Sequence, residues 1–151
     1  MTSLCEVWFY QLERSDVAAV LPGLLEKAGE RGWRALVRSS DPARLDALDA
    51  ALWTYRDEAF LGHGLDTEPH AAAQPVLLTS ALSNANGAQM LVLVDGAEPG
   101  SLEGFSRCLV LFEASDPPAL DKARAFWRQA KGEGRAAAFW RESETGWRKQ
   151  A

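Results

Sequence analysis

The chain is 151 residues long, 47% hydrophobic and 25% charged. That suits one soluble domain able to bury a real core, and no apolar run approaches the ~20 residues of a membrane span. The net charge of −5 is uneven: residues 1–121 carry 8 cations and 18 acids, and residues 122–151 carry 8 cations and 3 acids. An acidic body disfavours general nucleic-acid or anionic-membrane binding, whereas a basic final fifth favours a local site for an acidic ligand. The opening residues lack a basic stretch followed by a long apolar one. A cytoplasmic protein is therefore expected, with Cys5 and Cys108 as buried free thiols.

In chain order, Cys5–Leu12 is rich in β-formers and reads as a first, central strand. Ser15-Asp16 offers an N-cap, and Val17–Arg31 has helical periodicity at Val20, Leu21, Leu24, Leu25 and Ala28. Pro22 leaves the start open between Val17 and a point just before the proline. Trp33–Arg38 is a second strand. Ser40-Asp41-Pro42 opens a helix, Pro42–Trp53, buried through Leu45, Leu48, Ala51 and Leu52. This β-α-β-α opening implies a parallel sheet with right-handed crossovers.

Residues 56–74 lack periodicity and read as a long loop. Val76–Ser80 and Ala88–Val94 are strands flanking Asn84-Ala85-Asn86-Gly87, and Asn-Gly there predicts an antiparallel hairpin. Ser101–Arg107 reads as a short helix, and Cys108–Glu113 as a strand. Pro117–Lys131 is the clearest helix: Leu120, Ala123, Phe126 and Ala130 form its apolar stripe. Arg124, Arg128 and Lys131 form a cationic stripe beside it, with Trp127 on the border. Ala136–Trp140 is either a last strand or an apolar docking segment, and Ser143–Ala151 is a polar tail. The expected fold is a single α/β domain over residues 1–151. It is Rossmann-like, with a mostly parallel sheet, one antiparallel hairpin and helices on both faces.

No phosphate loop or nucleophile elbow is present. Glu13-Arg14-Ser15-Asp16 stands where a dinucleotide fold would have a glycine-rich turn. His63 and His70, with Asp66 and Glu68, match no metal-ligand frame. Asp57-Glu58 are neighbours that would not converge on one substrate. No catalytic residue, metal or cofactor is expected. Of six tryptophans, Trp8, Trp33 and Trp53 sit in apolar patterns and read as core. Trp127 and Trp147 lie in the basic segment. Aromatic plus arginine is the composition of interface hot spots, and also of single-strand stacking platforms. The acidic body favours a short acidic peptide, its carboxylates on Arg124 and Arg128 and an apolar residue against Trp127.

Leu48-Asp49 and Leu52-Trp53, followed by Asp57–Gly64 with Phe60 and His63, resemble the central signature of the chi subunits of bacterial DNA polymerase III. The first strand with Phe9-Tyr10 and the Lys122-Ala123-Arg124, Trp127-Arg128 helix fit as well, so the resemblance runs the length of the chain. Gly62 departs from it, standing where the family usually has proline before the histidine. The resemblance implies a noncatalytic accessory subunit of the clamp-loader complex in DNA replication. It would bind the acidic, phenylalanine-ended tail of single-stranded DNA-binding protein (SSB) and link it to the replicase. The family's tail-binding positions fall on Arg124, Trp127 and Arg128, beside Lys131. The family's second small subunit, psi, joins it to the clamp loader. Trp53, Phe60 and His63 mark the other candidate contact surface, for psi or a helicase. Two other readings stay open: a small-molecule or nucleotide-binding α/β domain, and a direct binder of single-stranded DNA.

Overall fold

A computed structural model describes residues 4–54 and 62–151. It holds one eight-stranded sheet with helices on both faces. The strands are β1 (Glu6–Leu12), β2 (Ala35–Arg38), β3 (His63–Leu65), β4 (Val76–Thr79), β5 (Met90–Val94), β6 (Arg107–Glu113), β7 (Ala137–Ser143) and β8 (Gly146–Lys149). The helices are α1 (Val17–Glu30), α2 (Pro42–Trp53) and α3 (Pro117–Gly132). The sheet order is β3-β4-β2-β5-β6-β1-β7-β8, parallel throughout except for the antiparallel pair β7–β8.

All three helices begin on an aspartate whose carboxylate accepts a backbone N–H one turn in. Asp16 takes that of Ala19, Asp41 that of Ala43 and Asp116 that of Ala119. α1 is continuous through Pro22, so Val17 is its start. β1, β2, β5 and β6 alternate between two cores, as parallel strands covered on both faces must. Val7, Phe9, Leu91, Leu93, Val110 and Phe112 meet α3 on one face. Tyr10, Leu12, Val92, Leu109 and Leu111 meet α1 and α2 on the other. Cys5 and Cys108 are buried free thiols. Burial pushes Cys5 up to about 11 and Cys108 well above the ordinary thiol range.

Four sequence expectations change. First, residues 56–74 are not all loop: His63–Leu65 adds an edge strand beside β4, and Ala71–Ala73 forms a 3-10 turn. Three residues are too few for a period-two signal.

Second, β4 and β5 are not a hairpin. Both lie parallel to β2, one on each side. The segment between them is a strap crossing from one end of β2 to the other. Asn86 pins one end, its amide donating to the carbonyls of Ala35 (3.1 Å) and Gln74 (2.9 Å). Arg38 pins the other: its Nε donates to the carbonyl of Ala81 at 2.8 Å. Its Nη1 reaches the carbonyl of Pro99 at 2.8 Å, so one buried guanidinium also holds the β5–β6 connection. Asn-Gly marks a turn here, with Gly87 at φ +64°, but not a strand reversal.

Third, residues 101–106 form turns and no helix, interrupted by Gly100 and Gly104 at φ +60° and +88°. Buried Leu102 and Phe105 plug the core from this loop. Fourth, the polar tail is ordered. It turns at Gly146 and returns as β8, where Trp147 meets Tyr10 edge-on at 5.2 Å. The chain's antiparallel hairpin is therefore β7–β8.

Candidate binding cleft between α3 and β7

Alanines at 119, 123 and 130 let α3 lie close on the sheet, and Phe126 fills the remaining depth. The next stripe of the helix then overhangs β1 and β7. Trp127 is half-buried there. Its ring meets Phe9 at 5.6 Å and Phe139 at 5.9 Å, both edge to face. Phe9 and Phe139 are register partners on β1 and β7 and stack at 5.7 Å, 9° from parallel. An aromatic block from three elements therefore fixes the indole.

Beside it, Arg124 and Arg128 project one helical turn apart and are exposed. Neither makes a hydrogen bond or ion pair with the described residues. Lys131 places its Nζ 5.5 Å from the Trp127 ring centre, a cation–π distance. Across from the helix stand Phe139 and Arg141 of β7, with Gln11 of β1 and Gln150. With Arg124, Trp127, Arg128 and Ala151, these four residues line an open cleft of about 400 Å³. It is apolar at Trp127 and Phe139 and cationic along one rim, which suits a short ligand carrying both carboxylates and an aromatic or aliphatic group.

The structure thus places Arg124, Trp127, Arg128 and Lys131 on one face. Gln11, Phe139, Arg141 and Gln150 complete the cleft beyond the residues that the helix spacing marks, with Phe9 buried beneath them. The signal available was period-two alternation: once Ala136–Trp140 is taken as a strand, Phe139 and Arg141 share a side.

The second expected surface is composed differently. Trp53 is not core: it is 71% exposed at the end of α2. Helix geometry explains this, since Trp53 follows Leu52, which takes the inward position. The Trp53 indole lies 4.6 Å from the imidazole of His63, centre to centre. His63 is buried at the start of β3, with Nε2 3.3 Å from Asp49 Oδ1. Burial raises the Asp49 carboxyl above the usual range, a shift that His63 opposes. Phe60 lies outside the described residues. His63 is therefore turned toward Asp49, and Asp66 is held by the Thr79 hydroxyl at 2.6 Å.

A third feature sits at the end of β1. The backbone N–H groups of Glu13, Arg14 and Ser15 all donate to Glu142 Oε1, at 3.1, 2.8 and 2.8 Å. The Ser15 hydroxyl donates to Oε2 at 2.6 Å. In a doubly wound fold this turn, leading into α1, is where a phosphate would bind. Here β7 fills it with the chain's own carboxylate, which weighs against a nucleotide at this turn.

The bonds from Ser15, Arg14 and Glu13 hold the Glu142 carboxyl below the ordinary range, against the opposing effect of burial. A depressed carboxyl contributes stability above its unfolded pKa and loses it as pH falls through its folded value. Glu142→Gln should therefore cost about 1–2 kcal/mol at neutral pH. The gap to wild type should close as pH falls below the ordinary glutamate range and on through the lowered folded value. Urea titrations at several pH values check this, and a constant gap would contradict it.

Among the described residues, no helix is long and apolar enough to cross a membrane, and no three potential ligands cluster as a metal site. A sequence model of the family described as "DNA polymerase III chi subunit, HolC" matches residues 4–138. The DNA polymerase III subunit chi of Pseudomonas aeruginosa is 32% identical over 123 residues, covering 80% of this chain and 84% of that protein. A probable DNA polymerase III subunit chi of Rickettsia prowazekii is 32% identical over 71 residues, 47% of this chain and 43% of that protein.

Proposed function

Because the chain belongs to the chi-subunit family of DNA polymerase III, we propose that its α3–β7 cleft receives the acidic C-terminal tail of single-stranded DNA-binding protein. The protein would thereby link SSB-coated DNA to the replicase, touching single-stranded DNA only through SSB. In this reading residues 1–151 act as one chi-like domain in the cytoplasm. It is an accessory subunit of the clamp-loader complex with no catalytic site of its own. The Trp53–His63 surface, together with Phe60, would face psi, the clamp loader or a helicase.

The observation that carries the reading is the pair Arg124 and Arg128, unpartnered among the described residues, flanking a Trp127 ring that is fixed but still open to solvent. The charges would steer a negatively charged segment inward, and burial against the indole would slow its escape.

Titration calorimetry with an aspartate-rich peptide ending in phenylalanine tests it. Affinity should fall as salt rises. Arg128→Ala should weaken binding by about 1–3 kcal/mol, the range for losing a strong charge-assisted contact. Binding indifferent to both salt and Arg128→Ala would overturn the reading.

A further inference from the structure

The inference here rests on the α3–β7 cleft being the seat of an acidic peptide. Not every cation of that cleft is open to a ligand. Arg141, on the β7 side, donates from Nε to Glu13 Oε1 at 2.7 Å. Gln11 donates its side-chain amide to the same oxygen, also at 2.7 Å. Gln11 and Arg141 both line the cleft. Glu13 thus presents to them what an incoming carboxylate would present.

The Glu13 main chain is tied down separately, its N–H bound to Glu142. The side chain can therefore leave without moving the backbone. The Arg141 side chain is 56% exposed and that of Glu13 26%, so the pair is open to solvent on the arginine side, where water and salt weaken it.

We infer that Glu13 is an internal competitor that occupies the Gln11–Arg141 end of the cleft until a ligand carboxylate displaces it. Arg141 is then a further cation of the binding site, masked in the free protein. The device selects for charge. A ligand with one carboxylate is served by Arg124 and Arg128 and gains nothing by ousting Glu13. A ligand with several acids gains Arg141 as well and offsets the displacement. Specificity then comes partly from a built-in repulsive group.

The test is a double-mutant cycle using the same aspartate-rich peptide ending in phenylalanine, with circular dichroism and thermal unfolding confirming the fold of each variant. Glu13→Ala and Glu13→Gln should each bind the peptide about two- to fivefold more tightly at low salt, and their affinity should fall more steeply with salt. In an Arg141→Ala background, Glu13→Ala should have no such effect. If Glu13 only braces the wall, its removal leaves affinity unchanged or weaker, and the inference is overturned. Tightening that persists without Arg141 is a general charge effect and overturns it too. Arg128→Ala, run alongside, separates the two levels. If Arg128→Ala weakens binding while the Glu13 variants do not tighten it, only the competitor fails. If Arg128→Ala has no effect, the cleft assignment fails with it.

Discussion

Phe9→Ala should lower the free energy of unfolding by about 3–5 kcal/mol, a large share of what a domain of this size possesses. Phe9 is 0% exposed and meets Phe126 at 5.7 Å, Trp127 at 5.6 Å and Phe139 at 5.7 Å. Truncation removes the centre of that block and leaves a hole bounded by three large rings. The rings cannot all close over it, because Phe126 and Trp127 are fixed by α3 while Phe139 is fixed by β-pairing. The same substitution should also weaken peptide binding to the folded fraction, because Trp127 loses its edge support. Phe9→Leu conserves most of the volume and should cost under about 1.5 kcal/mol. Urea unfolding followed by circular dichroism measures both. A loss below about 1 kcal/mol for the alanine variant would mean that the ring block is not the keystone described.

The second large effect is expected at Arg38, which is 1% exposed. Its guanidinium serves the carbonyls of Ala81, Glu98 and Pro99 and has no carboxylate partner in contact among the described residues. Burial lowers its pKa, so the charge is held at a cost. Two opposing terms follow from Arg38→Met. The buried charge is relieved, which favours the variant. Against that, the carbonyl of Ala81 and that of Pro99 lose charged donors worth about 1.5–3 kcal/mol each. The second term wins, for a net loss of about 2–4 kcal/mol. Arg38→Lys should recover little, because one ammonium cannot span both straps as the planar fork does. Hydrogen exchange should show faster opening at residues 81–86 and 97–100 in both variants, and uniform protection would count against the role assigned to Arg38.

Much of this architecture could be read from residue patterns. Asp16 and Asp41 announce α1 and α2, Pro42 marks the start of α2, and α3 shows in its apolar stripe. α2 has the predicted ends. The cationic stripe on α3 follows from spacing alone. What was hidden depended on distant partners. Asn86-Gly87 is a turn in either case, and nothing local tells a hairpin from a strap. The answer lies in Ala35 and Gln74, which accept from Asn86 across 51 and 12 positions. Trp53 looks like core because it ends an apolar helix, yet Leu52 already takes the inward position. The far wall of the cleft is not legible locally because β7 is mixed in character, and its sides are set only once it pairs with β1.

The position of β1 has a consequence for how the molecule comes into being. Its two neighbours, β6 and β7, are encoded roughly a hundred residues or more after it. A nascent chain would carry its first strand with both edges unsatisfied until residues 107–143 had left the ribosome. Phe9 belongs to that strand, while Trp127 and Phe139 arrive among the last. Closing such distant ends makes assembly late and all-or-none, so an unfinished chain should show no partial ligand affinity.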